Sequence, residues 1–383
     1  MNDLINNNGD NVFFENVALT IEQARNFVGR TADLTMCITY FEIGCMIVEE
    51  EQGGRVRAEY GRGLMQGLAD YLTEKFGRGY SLSTLKNAKQ FYSVYAPVIR
   101  QTASETPAEK SQSLLGFFEN GLLTAKSQTM ISQLYPFNLS WSHYLILMRI
   151  KSDNERRFYE MEAAKQRWTY RQLQRQYGSS LYERLALSRD KDEVMRLAQD
   201  GQVMEKSRDL LKNPLVLEFL DLAEDSSYSE TDLENAIISK LSHFLLELGK
   251  GFLFEARQKR FTFDEDHFIV DLIFYNRLLG CYVLIDLKNG KLKHQDLGQM
   301  SMYVNYFDRY VKTDKEKPTV GILLCREKND SVVELTLPEN SNIYASEYSL
   351  YLPDKALLRR KLAEWVEEFE EYHEAKSNEI KRR

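Results

Sequence analysis

The sequence is poor in the residues that build disulfide frameworks and zinc sites. Its 383 residues include four cysteines, Cys37, Cys45, Cys281 and Cys325, and five histidines. No two cysteines form a C-x-x-C pair and no histidines cluster beside them, which argues against a zinc site. A disulfide-stabilised fold is not expected in a chain of this length. The cysteines are therefore interpreted as buried, reduced thiols.

Long apolar runs and an overall positive charge are also absent. With 7 prolines and 20 glycines, the chain cannot be collagen-like or proline-rich, and no apolar run predicts a transmembrane helix. The polar start MNDLINNNGD lacks the basic region and apolar core of a signal peptide. We therefore expect a cytoplasmic protein without membrane contact. The net charge is -7, which as a whole is not that of a nucleic-acid binder.

The charge is distributed unevenly along the chain, however. Residues 52–100 carry eight Lys and Arg against three Asp and Glu, and residues 151–191 carry ten against six. The excess acid lies elsewhere, around Glu49–Glu51 and in the C-terminal tail around Glu367–Glu371. A net acidic chain can hide a basic face, but such stretches also occur on solvated surfaces of mixed charge. They leave nucleic-acid binding open without predicting it.

Apolar periodicity divides the chain into a helical first half and a mixed second half. We predict an N-terminal helical domain at 15–190, with tight glycine turns and a polar insertion at about 101–133. A connecting segment follows at 191–227. In the domain predicted at 228–353, a helix precedes three strands, a helix and a further strand, which describes a mixed sheet covered by helices. The tail at 354–383 is predicted to be an acidic amphipathic helix.

Two aspartates stand inside otherwise apolar strands, Asp271 in FIVDLIFY and Asp286 in CYVLIDLKNG. A short connection centred on Leu278 and Leu279 predicts an antiparallel hairpin in which paired residue numbers sum to 557. Because 271 and 286 have this sum, the two carboxylates are predicted to face each other across the hairpin. Opposed like charges repel at this spacing, and a divalent cation between them would remove the repulsion.

The pattern around Asp286 suits hydrolysis of phosphodiester bonds. Lys288 lies two residues beyond Asp286 and therefore on the same face of the strand. An ammonium beside two carboxylates can orient a water or stabilise the charge of the transition state. Few oxygen ligands from the protein favour Mg²⁺ or Mn²⁺ over zinc. The alternative is a strand-end aspartate with a lysine that reaches the solvent, without any catalytic role.

The motifs VDL, LIDLK and QMSMY together resemble those of the PD-(D/E)xK nuclease superfamily, in the RecB-type variant with a Q-xxx-Y helix. More closely, the chain resembles the YhcG family of nucleases. The stretches that carry this resemblance are YFEIGCMIVEEEQGGRVRAEYG, LTEKFGRGYSLSTLKNAKQFY, LSWSHYLILMRI, the region from LLELGKGF to DLKNG, and GQMSMYVNYFD. The resemblance implies a restriction-endonuclease-like αβββαβ domain, a mixed α+β or α/β fold, behind a helix-turn-helix or winged-helix-like domain.

The resemblance assigns site residues to positions of this chain. Asp271 and Asp286 take the two acidic positions and Lys288 the lysine position, whereas Val270 stands where the motif name has proline. Gln299 and Tyr303 take the helix positions, where they would help hold the lysine or a DNA phosphate.

An acid on the first helix often joins such sites, and Glu234 is the candidate for a third metal ligand. A capping box from Thr231 to Glu234 explains this glutamate equally well. On the first strand, Arg257 and Gln258 are candidates for nucleic-acid contacts, whereas Glu255 is expected to face the solvent.

The first half carries a second set of candidates for DNA contact. Arg78, Lys86 and Lys89 lie beside or on the third predicted helix, and the two lysines share a face that could follow phosphate oxygens. The alternative for this half is a helical scaffold, with Tyr40, Phe41 and Phe91 in its core.

Three functions therefore stay open at this point. The first is a metal-dependent DNA nuclease, and the second is a catalytically silent module that binds DNA. The third is an interaction scaffold of a DNA-processing or defence complex, with a protein partner on the C-terminal helix. Self-association is compatible with each of them. The intact set of Asp271, Asp286 and Lys288 favours the nuclease.

Overall fold

The computed structural model describes residues 7–53, 58–102, 135–187, 196–197, 200–212, 214–222, 228–263, 265–338 and 340–360. Nearly all of the insertion predicted at about 101–133, and most of the predicted C-terminal helix, lie outside the described residues. The chain forms two compact units, Met1–Arg156 and Arg157–Arg383. This division lies ahead of the linker predicted at 191–227, because the helices just beyond Arg157 pack with the second unit. The domain boundaries themselves stay a prediction.

The described part of the first unit is helical. It contains α1 (Asn7–Gly53), α2 (Ala58–Phe76), α3 (Leu82–Thr102) and α4 (Trp141–Leu147). Tyr40, Phe41 and Phe91 are buried, as expected for a helical core. The approach of α1 to α3 depends on Gly44, because a Cβ at this position would lie 2.2 Å from the carbonyl oxygen of Ala88.

The helices of the first unit do not test two expectations, a winged-helix-like domain and the absence of a membrane-spanning helix. Among residues 7–53, 58–102 and 135–156, none lies in a β-strand, so a winged-helix wing is not part of what the structure describes there. Within α1, Val17–Glu51 is long and apolar enough to cross a membrane by length and composition alone. Core helices of soluble proteins meet the same criterion, and 33% of the apolar window is buried inside the structure.

The second unit places helices against a mixed sheet. The helices are α5 (Asp153–Gln166, which begins in the first unit), α6 (Tyr170–Gly178), α7 (Leu181–Leu187), α8 (Glu230–Ser239), α9 (Leu241–Leu248), α10 (His294–Tyr306) and α11 (Asp330–Thr336). The strands are β1 (Leu215–Val216), β2 (Phe252–Phe263), β3 (Asp266–Asn276), β4 (Cys281–Lys291), β5 (Val320–Glu327) and β6 (Ile343–Ser349).

These strands form a six-stranded sheet in the order β1-β6-β5-β4-β3-β2. β2, β3 and β4 are antiparallel neighbours, whereas β4, β5, β6 and β1 run parallel. The mixed sheet with helices against it confirms the predicted helical region followed by a mixed α/β domain. The two-residue strand β1 and the short helix α11 were not expected from the sequence.

Helices cover both faces of the sheet. Leu233 of α8 and Phe244 of α9 pack in one apolar cluster with Ile285 of β4. Leu297 and Met300 of α10 belong to a second cluster on the other face. Gly321 permits α10 to approach β5, because a Cβ there would lie 2.7 Å from the Met300 side chain.

The start of α8 corrects one prediction. The N-cap is Ser229, whose hydroxyl accepts a hydrogen bond from the Asp232 amide, while the Asp232 carboxylate accepts one from the Ser229 amide. The predicted capping box from Thr231 to Glu234 is therefore wrong by two residues. The same S/T-x-x-acid spacing occurs twice here, and the earlier copy caps the helix. Glu234 is left without a capping role.

A buried network of charges fastens α6 and α7 to the sheet domain. Glu247 of α9 accepts hydrogen bonds from Arg184 at 2.5 Å and Arg175 at 2.9 Å, and from the Val216 amide at 3.0 Å. The Nζ of Lys212 donates to the Glu247 carbonyl oxygen. Burial alone would raise the pKa of Glu247, but Arg184, Lys212 and Arg175 lower it to about 2. Burial lowers the pKa of Lys212 to about 8.

Candidate active site

The hairpin of β3 and β4 has the predicted register. Its five paired positions run from Leu272 opposite Ile285 to Asn276 opposite Cys281, and each pair of numbers sums to 557. Continuing this register by one residue places Asp271 opposite Asp286. The Oδ2 atom of Asp271 accepts a hydrogen bond of 2.8 Å from the Leu287 amide, which fixes the carboxylate against β4.

Asp286 and Lys288 form the inner part of the site. Asp286 is only 3% exposed, and its Oδ2 atom lies 2.7 Å from the ammonium of Lys288. This contact is an ion pair between the carboxylate and the ammonium. Leu284, two residues earlier on β4, belongs to the apolar cluster that contains α10. Alternation along the strand therefore places Asp286 and Lys288 on the α10 side of the sheet.

One lysine does not neutralise this pair of carboxylates. Burial and the nearby charge of Asp271 raise the pKa of Asp286 to about 7, although Lys288 opposes the shift. Burial also raises the pKa of Asp271, with further contributions from Glu234 and Glu230. Burial would lower the pKa of Lys288, but the surrounding carboxylates, first Asp286, raise it. The lysine is therefore held as a cation in a site with excess negative charge.

The two residues predicted on the helix lie together at this site. On α10, the Nε2 atom of Gln299 donates a hydrogen bond to the hydroxyl oxygen of Tyr303. Tyr303 is buried, and burial raises the pKa of its hydroxyl, while the negative charges of Asp286 and Asp271 act in the same direction. The tyrosine consequently keeps its proton and can donate a hydrogen bond toward the site.

Glu234 approaches the site from α8. It is 4% exposed, and its charge contributes to the raised pKa of Asp271. Gln258 of β2 has a left-handed backbone (φ 50°), and its side-chain amide donates to Oε2 of Glu234. The other oxygen, Oε1, accepts no hydrogen bond from the described residues. Gln258, predicted to contact nucleic acid, thus holds Glu234. Beside it, Arg257 donates to the Asn235 side chain at 3.3 Å.

Glu230, the first residue of α8, also lies at the site and was not predicted from the sequence. Its Oε1 atom accepts a hydrogen bond of 3.2 Å from the Asn289 amide, just beyond Lys288 on β4. Its charge contributes to the raised pKa values of Asp271, Asp286 and Lys288. The available signal was its position one helical turn before Glu234, which places both carboxylates on one face of α8.

The chain as a whole is similar to known proteins. A family model described as "YhcG PDDEXK nuclease domain" matches residues 208–363, and one described as "DUF1016 N-terminal domain" matches residues 16–184. The protein "Putative nuclease YhcG" of Escherichia coli (strain K12) is 37% identical over 346 residues, covering 89% of this chain and 90% of the relative. The chain belongs to the YhcG family. The resemblance seen in the sequence motifs is therefore confirmed.

Two solved structures resemble part of the chain. A repair endonuclease from Pyrococcus abyssi is 22% identical, with a TM-score of 0.23, over 34% of this chain and 50% of that one. A structure described as an EndoMS-dsDNA2 complex is 18% identical, with a TM-score of 0.24, over 35% of this chain and 50% of that one. At these scores neither likeness carries weight for the YhcG-family chain.

The acidic side of the site has oxygen donors that suit a divalent cation. Among the described residues, no group of three or more His, Cys, Asp and Glu side chains already converges as a metal cluster. Two opposed carboxylates, Asp271 and Asp286, are present, together with the unbonded buried oxygen of Glu234. Mg²⁺ binds through one or two carboxylates and keeps several waters, so the donor set fits such an ion without a complete protein cage.

The three DNA-binding candidates of the first unit differ in exposure and in ion pairing. Lys86 is exposed, and Arg78 is exposed in the turn between α2 and α3. Lys89, by contrast, is half-buried and forms an ion pair with Glu51. Its charge is partly compensated within the protein, and the predicted two-lysine face is reduced mainly to Lys86. The role of these three residues stays a prediction.

Proposed function

We propose that this protein is a metal-dependent nuclease that hydrolyses phosphodiester bonds of DNA, with Asp271, Asp286 and Lys288 as its catalytic residues. The observation that carries the proposal is the uncompensated charge of two carboxylates on neighbouring strands. Burial and repulsion raise the pKa of Asp286 to about 7. A structural ion pair does not require this excess, whereas binding of a divalent cation removes it.

Each side chain has a distinct role in this proposal. Asp271 and Asp286, with Glu234 as a further candidate, would hold Mg²⁺ or Mn²⁺, which polarises a phosphate and lowers the pKa of a bound water when present. The Lys288 ammonium stabilises the negative charge that grows on the phosphate oxygens. Gln299 holds the hydroxyl of Tyr303, which can donate a hydrogen bond to a phosphate oxygen. The helical first unit supplies sequence-independent DNA contacts through Arg78 and Lys86.

The decisive experiment is a cleavage assay with the full chain and with Asp286→Asn. Linear, nicked and single-stranded DNA would each be incubated with Mg²⁺, Mn²⁺ or EDTA. We expect cleavage by the wild type only with a divalent cation, and none by Asp286→Asn, which keeps its shape but lacks a ligand charge. Asp314→Asn is the matched control, because Asp314 is exposed and is not one of the candidate site residues.

A catalytically silent DNA-binding module would give a different pattern. The wild type and Asp286→Asn would then bind DNA equally, neither would cleave any substrate, and neither would gain thermal stability from Mg²⁺ or Mn²⁺. This outcome would contradict the nuclease proposal while leaving membership of the family unchanged.

A further inference from the structure

Aromatic side chains continue outward from the proposed active site along β2, along α10 and along the π-helical turn Phe307–Val311 that follows α10. Tyr303 meets Phe261 edge to face, with ring centroids 5.7 Å apart. Tyr306 stacks on Phe261 at 4.0 Å, with 15° between the ring planes. Tyr310 lies 5.3 Å from Tyr306 and 6.2 Å from Phe263. We call Phe261, Tyr306, Phe263 and Tyr310 the aromatic ridge.

The outer end of the aromatic ridge is open to solvent. Phe261 is buried and Tyr306 is half-buried, but Phe263 is 56% and Tyr310 61% exposed. The buried end belongs to the apolar cluster beneath α10, so packing explains it. Packing does not explain the outer end, where two neighbouring rings present their surface to water.

Basic side chains accompany the aromatic ridge. Lys259 lies two residues before Phe261 on β2 and so on the same face of the strand, and it is exposed. Arg309 is exposed beside Tyr310. Neither cation forms an ion pair with any residue that the structure describes. Acidic residues also occur in this region: Asp266 lies opposite Phe263 across the hairpin, and the Asp308 carboxylate accepts a hydrogen bond of 2.8 Å from the Thr319 amide.

We propose that the aromatic ridge binds unpaired bases of single-stranded DNA on one side of the bond to be cleaved. The proposal rests on the proposed nuclease function and names its substrate class, which is DNA with a single-stranded tail or flap. Bases in a duplex are stacked on their neighbours, so an exposed ring can stack only on an unpaired base or a helix end. Aromatic platforms beside basic side chains are the general means of binding single strands without sequence preference.

The test uses 2-aminopurine, whose fluorescence is quenched when it stacks on a ring. Oligonucleotides would carry this base at successive positions in a single-stranded tail beside a duplex. The protein would be the full chain with Asp286→Asn, to prevent cleavage. We expect quenching at a few neighbouring positions, and its loss in the Phe263→Ala and Tyr310→Ala variants.

Affinity provides the second measurement. Each alanine should weaken binding of tailed DNA by about tenfold, the usual effect of losing one stacked base, while binding of blunt duplex stays unchanged. The salt dependence should not change either, because no phosphate contact is removed. Tyr351→Ala is the matched control, since Tyr351 is 56% exposed in the same unit but lies outside the ridge.

Three results would overturn the proposal. These are unchanged affinity for tailed DNA in both ridge variants, equal losses for tailed and blunt DNA, or a loss of self-association in place of DNA binding. The last would show that a second copy of the chain covers the rings. Failure here is separable from failure of the nuclease proposal, because the wild type would still cleave duplex DNA with Mg²⁺ or Mn²⁺ in the cleavage assay.

Discussion

Two clusters of buried charge lie in the second unit, and they differ in how their charges are balanced. Around Glu247, one carboxylate meets Arg184, Arg175 and Lys212, and its pKa falls to about 2. Around Asp286, two opposed carboxylates share Lys288, and the pKa rises to about 7. Glu247 and Asp286 are themselves 0% and 3% exposed, so the burial of the central carboxylate does not separate the two clusters. The sign of the remaining charge does.

The difference indicates what each cluster does. A carboxylate with more cations than it needs is satisfied within the protein and contributes to holding helices in place. Carboxylates with too few cations are destabilising until something else supplies positive charge. The first cluster fastens α6 and α7, whereas the second is suited to binding a cation and a phosphate. Changes that alter each balance separately should therefore have separate effects.

The largest expected effect is on stability. Glu247→Gln removes the carboxylate that pairs with buried Arg184 and leaves Arg175 with Glu218 alone, and removing one member of a buried pair costs about 3–5 kcal/mol. Denaturant unfolding should show this loss of the free energy of unfolding. Glu218→Gln is the control, because Glu218 also binds Arg175, at 3.0 Å, but is more exposed. Equal losses in the two variants would show that burial of the network adds nothing.

A loss of comparable size is expected in catalysis. Lys288→Ala keeps both carboxylates but removes the ammonium that we propose stabilises the transition state. We expect cleavage to slow by roughly two to three orders of magnitude, as when an oxyanion donor is removed, with the fold intact. Single-turnover cleavage at saturating protein measures this. If a higher protein concentration alone restored the wild-type cleavage rate in Lys288→Ala, the lysine would serve binding rather than the chemical step.

The shortage of positive charge around Asp286 also predicts that the stability of the protein depends on pH. In the cation-free protein, the pKa of Asp286 rises from the usual 3.8 to about 7 on folding. The folded state then holds more protons than the unfolded chain between these values, so this contribution to stability is lost as the pH rises through them.

Asp286→Asn removes this titration. The cation-free variant should melt at a higher temperature than the wild type above pH 7, and at a similar temperature near pH 4. Mg²⁺ should raise the melting temperature of the wild type more than that of the variant. A variant that is less stable than the wild type at every pH would mean that the carboxylate has an internal partner.

The smallest expected effect is on DNA binding by two surface lysines of the first unit, which also differ in whether their charge is paired. Lys89 is paired with Glu51, whereas Lys86 has no ion pair with any described residue. Lys86→Ala should therefore weaken DNA binding more than Lys89→Ala, for all sequences alike. It should also reduce the slope of log affinity against log salt by about one. Equal, negligible effects would place DNA binding elsewhere.

Some features were predictable because short-range geometry determines them. The register of Asp271 and Asp286 follows from the loop between β3 and β4, since a tight hairpin leaves little freedom in pairing. The predicted strands FIVDLIFY and CYVLIDLKNG lie within β3 and β4 because the apolar runs end at charged or glycine-rich turns. Lys288 then shares a face with Asp286 by strand alternation.

Other features depend on tertiary contacts that spacing cannot show. The cap of α8 was misassigned because Thr231 and Ser229 begin equivalent patterns, and nothing local decides between them. The break at Lys240 between α8 and α9 was missed because the apolar stripe continues across it. Glu230 was missed because its contact is with Asn289, 59 residues away. The ion pair of Lys89 was not predicted because its partner Glu51 lies on another helix.

The short loop between β3 and β4 also has a consequence for folding kinetics. Only 15 residues separate Asp271 from Asp286, and a hairpin of this kind closes within roughly 1–10 μs. The parallel pairing of β4 with β5 must wait for the α10 crossover, which is slower because its loop-closure entropy is larger. The two negative charges are therefore brought together before most of the sheet exists. Hairpin closure then meets their repulsion early, so a divalent cation would speed refolding rather than only slow unfolding.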